Sequence, residues 1–429
     1  MNQIVHPRSV NGVIKAPPSK SITQRIFAAG LLHSGKTIVT NVGESEDEWA
    51  AMEIIKTLGA KVERTVDGKI IIVGNPHFEL GNSFSHEAFS LNCNESGLSL
   101  RMFTPIAASS SLVITINGSG SLLRRPIAFF EEMFPLLGVN IVSNEGKLPI
   151  TVSGPLIPAD IDIDGSISSQ FLTGMLFAFA HNTKQKVCIN VSNLKSAPYI
   201  DLTIGVLNSF GYDVQHKNYK RFYVNPVAQL EKTIEYEIEG DWSGASFMLV
   251  AGAIAGKVEL NGLSVFSKQA DKAILAALQM ADVQLSISDT SIQASKPFGN
   301  RSLKPFHFDA NHCPDLFPPL SALAAYCDGI SLIEGVNRLT HKESNRAHSL
   351  KEAFDNLGVK VELQDDMMLI YGGLGVAGGK VHSYKDHRIA MACSILGLQA
   401  HSPVCIEDAN VVSKSYPGFY NDLDSIAVK

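Results

Sequence analysis

Leu58-Gly59-Ala60-Lys61-Val62 ends an amphipathic helical stretch and begins an alternating one. The same word returns with other letters as Leu137-Gly138-Val139-Asn140-Ile141, Phe210-Gly211-Tyr212-Asp213-Val214, Met280-Ala281-Asp282-Val283 and Leu357-Gly358-Val359-Lys360-Val361. A glycine at that point suits the left-handed residue that closes a helix. A short strand, a turn and a second strand follow, as in Lys69 to Val73 and Met367 to Tyr371, so the unit is a helix feeding a hairpin. Its starts lie roughly 70–80 residues apart, which leaves room for one more strand and helix per unit and marks a repeat architecture. Six such units fill the 429 residues.

The expected fold class is therefore α/β, in two halves of three repeats each. A junction is expected near Glu235 to Asp241, where one strand ends and Trp242-Ser243 opens a new helix. Residues ahead of Pro17-Pro18 are assigned to the far half. That gives a discontinuous first domain, 1–18 with 237–429, and a second domain, 19–236. The chain then crosses twice between them, with a cleft where ligands commonly bind.

A hydrophobic content of 45% with 18% charged residues describes a soluble globular chain. The longest apolar runs, Phe171 to Ala180 and Phe247 to Ala255, fall far short of the roughly 20 residues that span a bilayer. Met1-Asn2-Gln3-Ile4 does not begin a charged and then apolar leader, so a cytoplasmic location is expected. The six cysteines are scattered without metal-binding or redox spacing and read as buried thiols. A net charge of −6 argues against a nucleic-acid partner, and converging basic residues would then serve a small, highly charged ligand.

Two motifs mislead. Gly30-Leu31-Leu32-His33-Ser34-Gly35-Lys36-Thr37 spells a phosphate loop, but a helical stretch precedes it and a β-branched strand follows, the reverse of what that loop needs; Gly35 is expected to cap the helix. Gly373-Leu374-Gly375-Val376-Ala377-Gly378 spells a dinucleotide fingerprint, but no helix opens after it and it reads as a loop.

Four stretches carry chemistry. In Pro17-Pro18-Ser19-Lys20-Ser21-Ile22-Thr23-Gln24-Arg25 the prolines favour an extended approach, serine suits a helix cap, and Lys20 and Arg25 add charge to a helix start that attracts anions. Asp164-Gly165-Ser166-Ile167-Ser168-Ser169-Gln170 places neutral donors ahead of an apolar helix. Lys342-Glu343-Ser344-Asn345-Arg346 sets a carboxylate between two cations at helical spacing, and Lys385-Asp386-His387-Arg388 precedes the apolar Ile389 to Leu398. Each alone also reads as a capped helix or a solvated surface pair. The repetition of basic residues among Ser, Gly and Asn favours an anion site.

With Arg125-Pro126-Ile127, Ser196-Ala197-Pro198-Tyr199, Gly240-Asp241, Asn311 to Asp315 and Lys414, these stretches run in order over nearly the whole chain, and the series resembles the 5-enolpyruvylshikimate-3-phosphate synthases. The resemblance implies two inverse α/β domains of three βαβαββ-type repeats and no metal or organic cofactor. The implied reaction moves the enolpyruvyl group of phosphoenolpyruvate onto the 5-hydroxyl of shikimate 3-phosphate, releasing phosphate, in aromatic amino acid biosynthesis. The implied partners are these small molecules, with no nucleic acid and no membrane, and the chain is expected to be a monomer.

Carried over by position, the resemblance implies that Lys20, Gly97, Arg125, Gln170, Arg346, Arg388 and Lys414 hold phosphoenolpyruvate. It implies that Lys20, Ser21, Arg25, Ser168, Ser169, Gln170, Ser196, Tyr199, Asp315 and Lys342 hold shikimate 3-phosphate. The addition and elimination need a group that gives a proton to C3 and retakes it. Glu343 is assigned there, with Asp315 near the 5-hydroxyl and Lys20 or His387 assisting the departing phosphate.

One stretch departs from the pattern. The family usually shows Asn-Ala/Ser-Gly-Thr-x-x-Arg, whereas this chain reads Glu95-Ser96-Gly97-Leu98-Ser99-Leu100-Arg101. Glu95 is expected to repel an anionic substrate unless Arg125 or Arg101 pairs with it, and Leu98, in place of the usual Thr, to narrow or dry the wall; together they imply weaker phosphoenolpyruvate binding and altered sensitivity to glyphosate. One alternative is the related transferase acting on UDP-N-acetylglucosamine, which carries a loop cysteine that Gly118 to Arg125 lacks. Another is a non-catalytic repeat protein that binds polyanions.

Overall fold

The structure is a computed structural model and describes residues 1–78, 89–228, 231–299, 301–340 and 342–428. It divides into two compact units, one of Met1–Pro17 with Glu239–Lys429 and one of Pro18–Ile238.

The Pro18–Ile238 unit carries three four-stranded sheets of one design. In the first, Ile234–Glu237 runs parallel to Lys36–Thr40, which pairs antiparallel with Ile70–Val73, and Lys61–Arg64 lies outermost. The second follows the order Phe89–Asn92, Val113–Asn117, Lys147–Ser153, Asn140–Asn144, and the third Ile161–Asp164, Val187–Ser192, Arg221–Asn225, Asp213–Lys217. A parallel pair cannot be joined by a tight turn, so in the second and third sheets a helix, Gly97–Ala107 or Ser169–Asn182, crosses between its strands, while the outer antiparallel pair of each sheet is a hairpin. The last strand of the unit thus completes the first sheet.

The other unit repeats the design with a different closure. Val10–Lys15 pairs parallel with Gly256–Asn261, Gln3–Val5 pairs antiparallel with Val404–Glu407, and His307–Asp309 pairs parallel with Ile330–Glu334. The sheet of Gln3–Val5, Val404–Glu407 and Gly379–His382 has three strands and the other two have four.

Two kinds of helix serve these sheets. Those that follow the first strand are interior: every residue of Gly97–Ala107, Trp242–Ala255 and His387–Gly397 is buried. A helix apolar on all sides belongs in a core. Those that follow the second strand are amphipathic, such as Glu46–Thr57, whose Ser45 and Glu48 form a reciprocal capping box.

All five repeat words end their helices as read. Gly59, Gly138, Gly211 and Gly358 have φ of 91°, 76°, 89° and 81°, and Asp282 takes the same place at 66°. In each, two orphan carbonyls of the last turn are satisfied: the Gly59 N–H donates to Lys56 O and the Ala60 N–H to Ile55 O, both at 2.9 Å. Asp282 and Val283 repeat the pair on Gln279 and Leu278 at 3.1 and 3.0 Å.

Other local readings need adjustment. Helix Lys20–Leu32 does precede strand Lys36–Thr40, so the phosphate-loop spelling lies in the wrong context, but His33 and not Gly35 caps the helix. Gly35 is required for a different reason, since a Cβ there would sit 2.2 Å from the Lys232 carbonyl oxygen. The Gly373 to Gly378 segment is a loop whose Gly373, Gly375 and Gly378 have positive φ. Lys342 to Asn345 is not helical, because the helix begins at Arg346 with Asn345 at its cap. Among the described residues no helix is long and apolar enough to cross a membrane.

Candidate active site

The assigned residues gather where strands hand over to helices. Lys20, Gly97, Ser169, Arg346 and His387 are each the first residue of a helix, and Ser168 and Ser196 stand one step earlier, at caps. Backbone N–H groups there lack intrahelical partners, and the helix dipole adds partial positive charge, so several such ends in one repeat protein favour anions.

In the Pro18–Ile238 unit, Arg25 is 1% exposed. Its Nε donates to Thr203 Oγ1 at 2.9 Å, its Nη1 to Ser21 O at 2.7 Å and its Nη2 to Tyr199 O at 3.4 Å, tying helix Lys20–Leu32 to helix Ala197–Ser209. Burial pushes its pKa down to about 10, which still leaves it charged at neutral pH. Lys20 Nζ lies 2.8 Å from Asp47 Oδ2. Ser196, 4% exposed, holds φ at 55°, a left-handed value uncommon for serine.

Arg101 joins this group. Its Nη1 donates to Gln170 Oε1 at 2.8 Å, and its guanidinium stands 5.0 Å above the Phe171 ring. The approach depends on Gly174, where a Cβ would meet Arg101 O at 2.3 Å, so glycine lets helix Ser169–Asn182 close on helix Gly97–Ala107. Arg125, 6% exposed, packs so near Gly97 that a Cβ on Gly97 would lie 2.4 Å from its Nη1. Lys20, Arg25, Arg101 and Arg125 stand against Asp47 and Glu95, an excess of cation suited to a multiply charged anion. Glu95 Oε2 accepts from the Ser121 N–H at 3.1 Å and from its hydroxyl at 3.2 Å.

In the other unit, Asp315, Lys342, Glu343, Arg346 and Arg388 form one cluster. Asp315 Oδ1 accepts from Arg346 Nη1 at 2.8 Å and from Lys342 Nζ at 3.1 Å, and its Oδ2 lies 3.3 Å from Arg388 Nη2. Arg346 also binds Glu343 through Nη2 and Asp386 through Nε at 2.9 Å. Asp386 caps helix His387–Gly397 by accepting from the Arg388 N–H at 3.0 Å. Lys414 Nζ donates to Lys385 O at 3.1 Å, and His387 is buried at the helix start.

The charges in this cluster are tuned by one another. Burial pushes the Asp315 carboxyl up, but Arg388, Lys342 and Arg346 outweigh it and hold the group well below the ordinary carboxylate range. Burial pulls the Lys342 ammonium down, against the opposing pull of Asp315. Burial also opposes the charge of Arg346, but Asp386, Glu343 and Asp315 raise its pKa above the ordinary value. Asp315 is thus an ionised acceptor at neutral pH, and the guanidinium is a fixed cation between carboxylates.

The sequence reading gave Asp47 no site role, named Arg101 only as a counter-charge for Glu95, and named Asp386 only as part of the stretch Lys385 to Arg388. Asp47 and Arg101 find their partners through tertiary packing, which no local spacing announces. Asp386 had a local signal, an acidic residue directly ahead of a helix.

The family profile described as EPSP synthase (3-phosphoshikimate 1-carboxyvinyltransferase) matches residues 4–423. The 3-phosphoshikimate 1-carboxyvinyltransferase of Clostridium kluyveri is 34% identical over 424 residues, covering 98% of this chain and 96% of the relative. That of Aeropyrum pernix is 33% identical over 428 residues, covering 99% and 96%. Among solved structures, an EPSP synthase from Acinetobacter baumannii superposes with a TM-score of 0.81 at 24% identity, covering 100% of this chain and 98% of the other. The enolpyruvyl transferase NikO from Streptomyces tendae superposes at 0.78 with 15% identity, covering 99% and 97%, and like the Acinetobacter structure it speaks for the fold. With the profile spanning almost every residue and the relatives matched end to end, the chain belongs to the EPSP synthase family.

Proposed function

We propose that this chain performs the reaction for which its relatives are named, transfer of the enolpyruvyl group of phosphoenolpyruvate to the 5-hydroxyl of shikimate 3-phosphate with release of phosphate. The observation that carries the reading is the Asp315–Arg346–Glu343 group, in which one buried guanidinium holds two carboxylates in a setting of cations. The reaction needs that combination: an acceptor for the hydroxyl proton, a proton donor for carbon, and fixed positive charge for two anionic reactants.

In this reading Ser21, Arg25, Ser168, Ser169, Ser196 and Tyr199 hold shikimate 3-phosphate, with Gln170 and Lys20 touching both substrates. Gly97 and Arg125 receive an anionic end of phosphoenolpyruvate, as do Arg346, Arg388 and Lys414. Arginine suits both the carboxylate and the phosphate because its donors form a planar fork. Asp315 and Lys342 take the ring hydroxyls.

The steps follow from charge and proton demand. Asp315, ionised, takes the proton of the 5-hydroxyl as that hydroxyl's oxygen attacks C2, and this proton later leaves with the phosphate. Glu343, protonated at that moment, delivers its proton to C3 and the methyl group forms. The tetrahedral adduct then expels phosphate, assisted by Lys20 or His387, while Glu343 retakes a C3 proton and the double bond returns. The chain is taken to act on these small molecules as a cytoplasmic monomer.

The test is phosphate release from phosphoenolpyruvate by the purified chain, with shikimate 3-phosphate in one arm and UDP-N-acetylglucosamine in another. Release in the first arm alone is expected. Release in the second, or in neither, overturns the reading.

A further inference from the structure

We propose that Glu95 is a positioning residue for Arg125, acting through Ser121; the inference rests on the reading above that Arg125 binds phosphoenolpyruvate. Two chain segments meet at this point. The Cys93 N–H donates to Asn117 O at 2.9 Å and the Ser119 N–H to Asn94 O at 2.7 Å, which zips the approach to helix Gly97–Ala107 against the approach to the short helix Gly120–Arg124. The Glu95 carboxylate adds a side-chain tie, taking both the backbone N–H and the hydroxyl of Ser121 on its Oε2.

The fit leaves little slack. Gly120 has φ of 54°, and a Cβ there would lie 2.3 Å from the Glu95 carboxyl carbon, so the turn closes directly over the carboxylate. The turn ends at Arg125, whose N–H donates to Leu122 O at 3.1 Å and whose Nη1 packs on Gly97, two residues beyond Glu95. The carboxylate and the guanidinium therefore belong to one short circuit: Glu95 fixes Ser121, Ser121 fixes the turn, and the turn sets how far Arg125 stands from the helix start.

This assigns Glu95 an effect opposite in sign to charge repulsion. A carboxylate that only repelled the substrate would, once neutralised, let phosphoenolpyruvate bind more tightly. A carboxylate that anchors the turn would, once truncated, leave Arg125 misplaced, whereas glutamine keeps an acceptor oxygen for Ser121.

Steady-state kinetics at saturating shikimate 3-phosphate read this directly. Glu95→Ala and Ser121→Ala are each expected to raise KM for phosphoenolpyruvate about tenfold, with kcat and KM for shikimate 3-phosphate near the wild-type values, while Glu95→Gln stays within about threefold. The double variant should be little worse than the worse single one, because both break one link. A parallel measurement independent of turnover is the rate at which phenylglyoxal modifies Arg125 in the intact chain, followed by peptide mass; it should rise several-fold in both alanine variants. A lowered KM in Glu95→Ala and Glu95→Gln supports repulsion and overturns the proposal. So does an unchanged Arg125 modification rate, or a shift of both KM values together with a lower unfolding midpoint. A wild-type chain that releases no phosphate would strike the functional reading, while the modification rates still decide the link from Glu95 to Arg125.

Discussion

Arg346 and Asp386, 40 residues apart, meet with Nε 2.9 Å from Oδ2 and Nη2 3.2 Å from Oδ1, and neither side chain reaches solvent. Removing one member of a buried pair leaves the other charge desolvated, and here it also removes the cap of helix His387–Gly397. Asp386→Ala is therefore expected to cost about 3–5 kcal/mol in urea unfolding, and Asp386→Asn, which keeps an acceptor for the cap, clearly less. A loss below about 1 kcal/mol in Asp386→Ala would show that Asp315 and Glu343 already suffice for Arg346.

The depressed pKa of Asp315 makes a prediction about acid. Its ion pairs contribute stability in full above the unfolded carboxylate value of about 3.9, and that contribution is lost as the pH falls through the lower folded value. The stability difference between wild type and Asp315→Asn should be flat from pH 7 to about pH 4.5 and shrink below it. A difference that already declines near pH 6 would mean that the cations do not hold the group down as described.

Glu343→Gln keeps the shape of the side chain and removes the transferable proton. Turnover is expected to fall at least about a hundredfold, with shikimate 3-phosphate binding by calorimetry within a few-fold of wild type. Near-normal turnover would remove Glu343 from the proton transfers.

Arg25 tests the other unit. Its three nitrogens serve Thr203, Ser21 and Tyr199, a planar pattern that an ammonium cannot reproduce. Arg25→Lys should raise KM for shikimate 3-phosphate about tenfold or more while leaving KM for phosphoenolpyruvate within a few-fold. Equal rises in both would place Arg25 in general packing.

The repeat was legible because its signal is local. A left-handed residue after a helix favours glycine strongly enough that four of the five words carry one, and the apolar pattern around Asp282 revealed the fifth. What misled was also local: Lys342 and Arg346 sit at helical spacing, but Asn345 caps a helix that begins only at Arg346, which leaves Lys342 outside it. Gly35 resembled a cap because its need for a missing side chain comes from Lys232, far along the chain. Glu95 is the clearest case. Its residue type implied repulsion unless Arg125 or Arg101 paired with it, and no local spacing announced the tie that its carboxylate makes to Ser121.

The first strands of the chain belong to the sheets of its last third. Gln3–Val5 finds its partner at Val404–Glu407, and Val10–Lys15 at Gly256–Asn261. During synthesis the Pro18–Ile238 unit has all of its strands as soon as Glu237 emerges, whereas residues made first must wait for some of those made last. Closing the other unit therefore joins strands about 400 residues apart, a non-local pairing that cannot begin until the later strands exist.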